Sequence, residues 1–353
     1  MTQTNVKTPR ADPFQGDREA FPVASGDNMK AIVNTHYGSP DVLQLKEVAR
    51  PTPKDNEVLV QVHAASVNAA ELHLLRGKPF LMRLMGFGFL IPKHTILGAA
   101  MAGRVEAVGR NVTQLQPGDE IFGGLTKCGW GAFAEYVCAS EDALVLKPAN
   151  VTFEQAAAIP LAAVTALQGL RAKGQIKLGQ KVLINGAGGG VGTFAVQLAK
   201  AFGAEVTGVC STRNVDMVRS IGADQVIDYT QEDFTKNGQR YDFIFAVNGY
   251  HSIFDYKRAL SPKGVYVMIG GSMAAMIQAM LLGPVISMTG RQKMGSMGVA
   301  KPNQKDLVFM KELLEAGKVK PVIDRRYPLG ETAEAIRYLE AGHAKGKVVI
   351  MVT

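Results

Sequence analysis

Between residues 30 and 150, apolar and polar positions alternate in short runs, "KAIVNT", "VLQLKEV", "EVLVQVHAASV", "GRVEAVG" and "AEYVCAS", broken by turn residues at "PTPKDN" and "QPGDE". A period of two between such breaks predicts β-strands. One helix is predicted near "NAAELHLLRG". After "KPANVTFEQAAAI" the pattern changes to alternating strands and helices: "KVLING", "VGTFAVQLAKAF", "EVTGVC", "VDMVRSIG", "QVIDY", "DFIFAVNG", "IFDYKRAL" and "GVYVMIGG". Repetition of this kind predicts right-handed βαβ units on a parallel sheet, an α/β fold. The tail predicts a helix, a strand, a helix and a short last strand suited to closing the first domain. The expected layout is therefore a β-rich domain of residues 29–153 and 297–353, interrupted by an α/β domain at 154–296. Residues 1–28 have no apolar periodicity and are expected to be a disordered extension preceding the strand in "MKAIVNTHYGSP".

Composition narrows the class. With 353 residues the chain suits two domains, and 47% apolar with 20% charged residues is a soluble globular balance. The net charge of +8 is spread along the chain. It favours anionic small molecules over nucleic acid, which typically calls for clustered basic residues. Three cysteines, Cys128, Cys138 and Cys210, form no CxxC pair and leave an odd one over. Neither a disulfide framework nor a zinc finger is expected, and a reducing cytoplasm fits. No run reaches the 18 apolar residues of a membrane span, although segments 80–92 and 272–286 are strongly apolar.

The stretch "LINGAGGGVGTFAVQLAKAFGAEVTGVCST" carries the chemistry. A strand ends, glycines follow and a helix begins, with the pattern A-x-G-x-x-G on Ala187, Gly189 and Gly192. Gly189 is expected to let backbone approach a pyrophosphate, with Gly188, Gly190 and Val191 completing the turn. Gly192 is expected to let helix and strand pack closely, and the helix N-terminus offers free N–H groups to phosphate. The next strand runs into Ser211, Thr212 and Arg213, where an NAD site commonly places a carboxylate. Hydroxyls and a guanidinium there suit a 2′-phosphate, as does Tyr229 after the third strand, so NADPH is the expected cofactor.

These residues, with "SVNAAELHLLRG", "ILGAAMAGRVEAVGRNVTQLQPGDEIFG", "GAFAEYV" and "AAVTALQGL", resemble the medium-chain dehydrogenase/reductases, in their quinone-oxidoreductase-like branch. The likeness spans about residues 30 to 353. It implies a GroES-like β-rich catalytic domain and a Rossmann domain with a doubly wound parallel sheet, the nicotinamide lying between them. By family position Thr165, Asn248, Gly249, Gly270 and Gly271 border the cofactor. Asn68 is implied to lie near the nicotinamide and His73 beside the active site. Ala69 and Glu71 depart from the family's usual residues, and the resemblance also implies a homodimer through the Rossmann sheet edge.

Zinc-dependent relatives carry a Cys and a His where this chain has Asn68 and the Gly98–Ala99–Ala100 run, so no metal site is expected. Without a Lewis acid the easier task is hydride delivery to an already electrophilic carbon, in a quinone or an α,β-unsaturated carbonyl. The expected partner is a small apolar conjugated carbonyl or quinone. Segments 80–92 and 272–286 are candidates for its entrance, or for plain core or a dimer contact. The competing reading is a nucleotide-sensing or RNA-binding protein that keeps the cofactor site with little catalysis.

Overall fold

A computed structural model describes residues 27–80, 83, 87–173 and 176–353. The expectation for the N-terminal extension, and that for part of segment 80–92, lie outside these residues. In chain order the elements are β1 (Asn28–Val33), β2 (Gln44–Ala49), β3 (Glu57–Val67), α1 (Ala69–Arg76), β4 (Ala100–Val108), β5 (Glu120–Gly124), β6 (Tyr136–Ser140) and β7 (Leu144–Leu146). Then come α2 (Phe153–Ala157), α3 (Ala162–Arg171), β8 (Lys181–Asn185), α4 (Gly190–Ala201), β9 (Glu205–Cys210), α5 (Val215–Ser220), β10 (Gln225–Asp228) and β11 (Tyr241–Ala246). The chain finishes with α6 (Ile253–Ala259), β12 (Leu260–Met268), α7 (Met273–Thr289), β13 (Lys293–Ser296), α8 (Gln304–Glu315), β14 (Ile323–Pro328), α9 (Thr332–Glu340) and β15 (Lys347–Met351).

One sheet runs in the order β14-β15-β3-β4-β5-β7, with β6 also paired to β3. The last strand, β15, lies antiparallel to β3, so the chain returns after the α/β region to complete the sheet it began. The second sheet is β10-β9-β8-β11-β12-β13, and every pairing in it is parallel. β8 is buried from Val182 to Asn185, as expected of a strand covered by helices on both faces. From β8 the chain winds outward through β9 and β10, and from β11 in the opposite direction through β12 and β13. Loops leaving β8 and β11 therefore diverge, and in such sheets the crevice between them is where ligands bind.

The two sheets share a hydrophobic core. Ala64, Ala102 and Phe122 of the first sheet belong to one cluster with Ala163 and Leu167 of α3, Ile184 of β8 and Phe194 of α4. This continuity makes α3 and the loops beside it a fixed seam between the halves. The three thiols are partly or fully buried, and burial pushes those of Cys138 and Cys210 up to about 11.

At its outer end the parallel sheet meets α7. The Ser287 hydroxyl accepts the Met294 N–H at 2.8 Å, and its single proton lies between the Gly283 carbonyl of its own helix, at 2.7 Å, and the Met294 carbonyl, at 3.0 Å.

Candidate functional site

The glycine turn is assembled at the C-terminal end of β8. Gly186 and Ala187 both donate their N–H to the Val209 carbonyl, at 3.1 and 3.0 Å, which binds the turn to the neighbouring strand β9. Ala187 is fully buried and packs towards Gly208, so a methyl group is accommodated at the first position of the motif. Gly189 caps α4, and Val191 lies in that helix's first turn. A Cβ on Gly189 would meet only the Gly186 carbonyl, at 3.7 Å, so its face of the turn is open. A Cβ on Gly192 would lie 2.0 Å from the Gly186 carbonyl oxygen, so helix and turn approach as closely as backbone allows. With the free N–H groups of a helix twelve residues long, the open turn fits a dinucleotide pyrophosphate.

Beyond β9, Ser211 is half-buried, and Thr212 and Arg213 are exposed. Tyr229 follows β10, is 61% exposed and donates its N–H to the Cys210 carbonyl at 3.0 Å, so it stands beside the end of β9. The Arg213 guanidinium donates to the Gly342 carbonyl at 3.2 Å. Asn214, packed under Gly188, donates to Ser211 Oγ at 3.3 Å, and its own carbonyl oxygen is buried without a partner. The second strand ends without a carboxylate, but Asp228 ends the third, directly opposite Cys210. A hydrogen bond from Thr212, with others from Thr230, holds its carboxyl below the usual range. Its charge is thus already bound to the hydroxyls around it.

The other wall comes from the loops after β11 and β12. Val247 and Asn248 donate their N–H groups to the Asn185 carbonyl, at 2.9 and 3.2 Å, and Gly249 donates to Gly270 at 2.9 Å. Gly249 and Gly271 pair as an isolated parallel bridge. Gly271 has φ +134°, and a Cβ there would lie 2.0 Å from the Gly249 carbonyl oxygen, so this seam requires glycine. The structure thus brings Asn248, Gly249, Gly270 and Gly271 to the same end of the sheet as the glycine turn. Thr165 is buried in α3 at the seam.

Asn68 is the N-cap of α1 and is 8% exposed. Its Oδ1 accepts from Lys347 Nζ, and its Nδ2 donates to the Ser66 carbonyl at 2.9 Å. Because an ammonium can only donate, the Lys347 contact fixes which amide atom is oxygen and leaves one Asn68 N–H uncommitted. Lys347 also donates to the Val67 carbonyl at 3.1 Å, and its aliphatic chain passes close to Gly190. The preceding Gly346 donates its N–H to the Gly188 carbonyl at 3.0 Å. One lysine therefore touches both Asn68 and the glycine turn.

Glu71, where the chain departs from the family's usual residue, is fully buried beneath this group. Its two carboxylate oxygens accept the Asn68 N–H at 2.9 Å and the Ala99 N–H at 2.8 Å. By the resemblance these are the positions expected to hold metal ligands in zinc-dependent relatives, and here one carboxylate staples their backbones together. Burial pushes the Glu71 carboxyl up, against the pull of Lys347 and the backbone donors, and pushes the Lys347 ammonium down. Among the described residues no three His, Cys, Asp or Glu side chains gather as a metal site. His73 lies in the last turn of α1 with its side chain exposed. The sequence marks Glu71 only as a departure from the family pattern and does not single out Gly346 and Lys347, although "GHAKGK" before the last strand, with two glycines and two lysines, carries a signal.

Comparison with known proteins agrees with this architecture. Residues 54–149 match the family described as alcohol dehydrogenase GroES-like domain, and residues 221–350 that described as zinc-binding dehydrogenase. The chain is 37% identical over 335 residues to 2-methylene-furan-3-one reductase of Solanum lycopersicum, covering 91% of this chain and 79% of the relative. It is 35% identical, with the same coverage, to the chloroplastic NADPH-dependent alkenal/one oxidoreductase of Arabidopsis thaliana. The solved structure of the quinone oxidoreductase from Coxiella burnetii superimposes with a TM-score of 0.80 at 32% identity, over 93% of this chain and 100% of that one.

Proposed function

Because the chain belongs to the medium-chain dehydrogenase/reductase family, in its quinone-oxidoreductase-like branch, we propose that it is an NADPH-dependent oxidoreductase acting, without zinc, on a quinone or an α,β-unsaturated carbonyl. One observation carries the reading: Lys347 spans the distance from the glycine turn to the buried Asn68 amide, so cofactor site and substrate-side donor are rigidly linked. NADPH supplies the hydride. Gly188, Gly189, Gly190, Val191 and Gly192, with the α4 N-terminus, hold the pyrophosphate. Ser211, Thr212, Arg213 and Tyr229 would receive the 2′-phosphate, Thr165, Asn248 and Gly249 would border the cofactor, and Gly270 and Gly271 would lie by the nicotinamide ribose.

The chain's own chemistry is one of orientation and charge stabilisation. The uncommitted Asn68 N–H orients a carbonyl oxygen, on which negative charge develops when the conjugated carbon is reduced. His73, at the exposed side of α1, donates the proton that completes reduction. No Lewis acid is required because conjugation already spreads the charge. Zinc independence is further supported by Glu71, whose carboxylate is committed to two backbone donors. The partly buried thiols fit a reducing compartment such as the cytoplasm.

The test is NADPH consumption against a quinone, an enone, an enal and a saturated alcohol, with and without chelator. Reduction of conjugated acceptors only, unaffected by chelator, is expected. Loss of activity with chelator would overturn zinc independence. A wild-type protein that binds NADPH and reduces none of the panel would favour the nucleotide-sensing reading. His73→Phe is expected to lower turnover by about 10- to 100-fold, the lower end of general-acid contributions. Unchanged turnover on both a quinone and an enone would remove His73 from the chemistry.

Cofactor preference gives a separate check. Arg213→Ala is expected to weaken NADPH by roughly 1 to 3 kcal/mol, as for a charge-assisted hydrogen bond, and to leave NADH nearly unchanged. Fluorescence titration with both cofactors measures this. Equal losses would assign Arg213 to its contact with Gly342 and leave Tyr229 as the phosphate neighbour.

A further inference from the structure

We propose that Lys347 is a positioning residue of the reaction: its buried ammonium holds the Asn68 amide with one N–H free for the substrate oxygen, and strengthens that N–H as a donor when negative charge develops there. The inference rests on the assignment of Asn68 as the substrate-side donor made above. Lys347 is 3% exposed. Lysine is almost never buried to this degree without a partner, because the water lost from the ammonium must be replaced by other bonds. Here the bonded partners are neutral: Nζ donates to the Val67 carbonyl at 3.1 Å and to Asn68 Oδ1. Glu71 acts on the ammonium through its charge, while its two oxygens accept the Asn68 and Ala99 N–H groups. A position needing only volume would take an apolar side chain at no loss of stability. A charge bonded to an amide in such a place serves the amide.

Both ends of the contact are fixed. Gly346 donates its N–H to the Gly188 carbonyl at 3.0 Å and pairs with Gly189 as an isolated parallel bridge. It has φ +86°, and a Cβ there would lie 2.4 Å from the Val322 carbonyl oxygen, so only glycine lets the backbone reach the turn. Lys347 then donates its own N–H to that Val322 carbonyl at 2.8 Å, and its stem passes Gly190, where a Cβ would stand 3.1 Å from Lys347 Cδ. On the other side Glu71 holds the Asn68 backbone, and the Ser66 carbonyl takes one Nδ2 hydrogen at 2.9 Å. The ammonium on Oδ1 and the carbonyl on Nδ2 enforce the same amide orientation. Donation to Oδ1 polarises the amide, so the remaining N–H becomes a stronger donor. A positive charge one amide away also favours an oxyanion, in a buried setting where water screens little. The site therefore selects an acceptor oxygen, as in a carbonyl or quinone.

Lys347→Met keeps the aliphatic stem beside Gly190 and removes the charge. It is expected to lower kcat for quinone reduction roughly 10- to 100-fold and to leave the Kd for NADPH within about 3-fold. Added to Asn68→Ala, it is expected to cost less than about 2-fold more, because both act through one donor. Losses that multiply would overturn the proposal. The absorbance of p-nitrophenol bound to the NADP+ complex gives a readout without turnover, since its phenolate presents an oxyanion to the same donor. The wild type is expected to lower the apparent pKa of the bound phenol, and Lys347→Met to raise it by about one unit, a ten-fold loss of preference for the phenolate. An unshifted phenol in the wild type, or equal shifts in the two proteins, would overturn the proposal. A Lys347-dependent shift in a wild type that reduces no conjugated acceptor would overturn the reaction proposed above and support the role of Lys347. Thermal melts verify folding. Should Lys347→Met not fold, Lys347→Gln retains a neutral donor and is expected to move both readouts in the same direction; wild-type values in that variant would overturn the role of the charge.

Discussion

Glu71→Ala is expected to destabilise the protein by about 2 to 6 kcal/mol, the cost of leaving two buried backbone donors without an acceptor at about 1 to 3 kcal/mol each. The carboxylate lies in a fully buried position and accepts from the backbone N–H groups of Asn68 and Ala99. Its removal leaves both donors without an acceptor and takes away the carboxylate whose charge favours the buried Lys347 ammonium. Two elements then lose their tie, because Asn68 opens α1 and Ala99 precedes β4. Glu71→Gln keeps a single acceptor oxygen and should lose less. Urea denaturation of the three proteins measures the effect. A loss under about 1 kcal/mol for Glu71→Ala would mean that water replaces the carboxylate and that the group is not sealed.

Gly192→Ala is expected to damage folding and cofactor binding together. The added methyl would lie 2.0 Å from the Gly186 carbonyl oxygen and 2.8 Å from the Ala187 Cα, both backbone atoms that cannot rotate aside. Either α4 withdraws from β8 or the turn deforms, at roughly 1 to 3 kcal/mol for overpacking a tight contact. Both movements shift the N–H groups at the start of α4 away from the phosphates. NADPH affinity should fall ten-fold or more, which corresponds to about 1.4 kcal/mol. Titration of NADPH fluorescence alongside a thermal melt separates the two effects. Unchanged affinity in a folded variant would show that the cofactor is held elsewhere.

The two predictions differ in how far the chain announces them. Gly192 stands in a strand–glycine–helix sequence, where backbone geometry is local and spacing alone points to the close approach. Glu71 is legible by that route only in part, through its local bond to the N-cap Asn68 three residues before it. Nothing near "NAAELH" reports that its carboxylate will be sealed beneath the backbone of Ala99, twenty-eight residues away. Lys347 lies 279 residues from Asn68, and only the return of β15 to β3 brings them into contact. Asp228 is an intermediate case. It stands in the "VIDY" segment that singled out Tyr229, but its place opposite Cys210 depends on the register of β10 on β9.

By itself the sequence determined the features that periodicity and glycine dictate: a β-rich part, a run of βαβ units, an open phosphate turn, and a second strand ending in hydroxyls and a guanidinium. These are short-range properties, fixed by alternation every two or 3.6 residues and by the conformations a single residue allows. Tertiary structure alone decided which polar groups satisfy one another when buried. It closed Glu71 onto the distant Ala99 N–H, aimed Lys347 at the Asn68 amide, and left one face of α7 apolar and exposed among the described residues. The physical reason is that the composition of α7 identifies an apolar helix without saying what will cover it. Likewise, a buried charge is tolerable only with partners, and its partners here are supplied by elements that meet solely because the sheet brings them together.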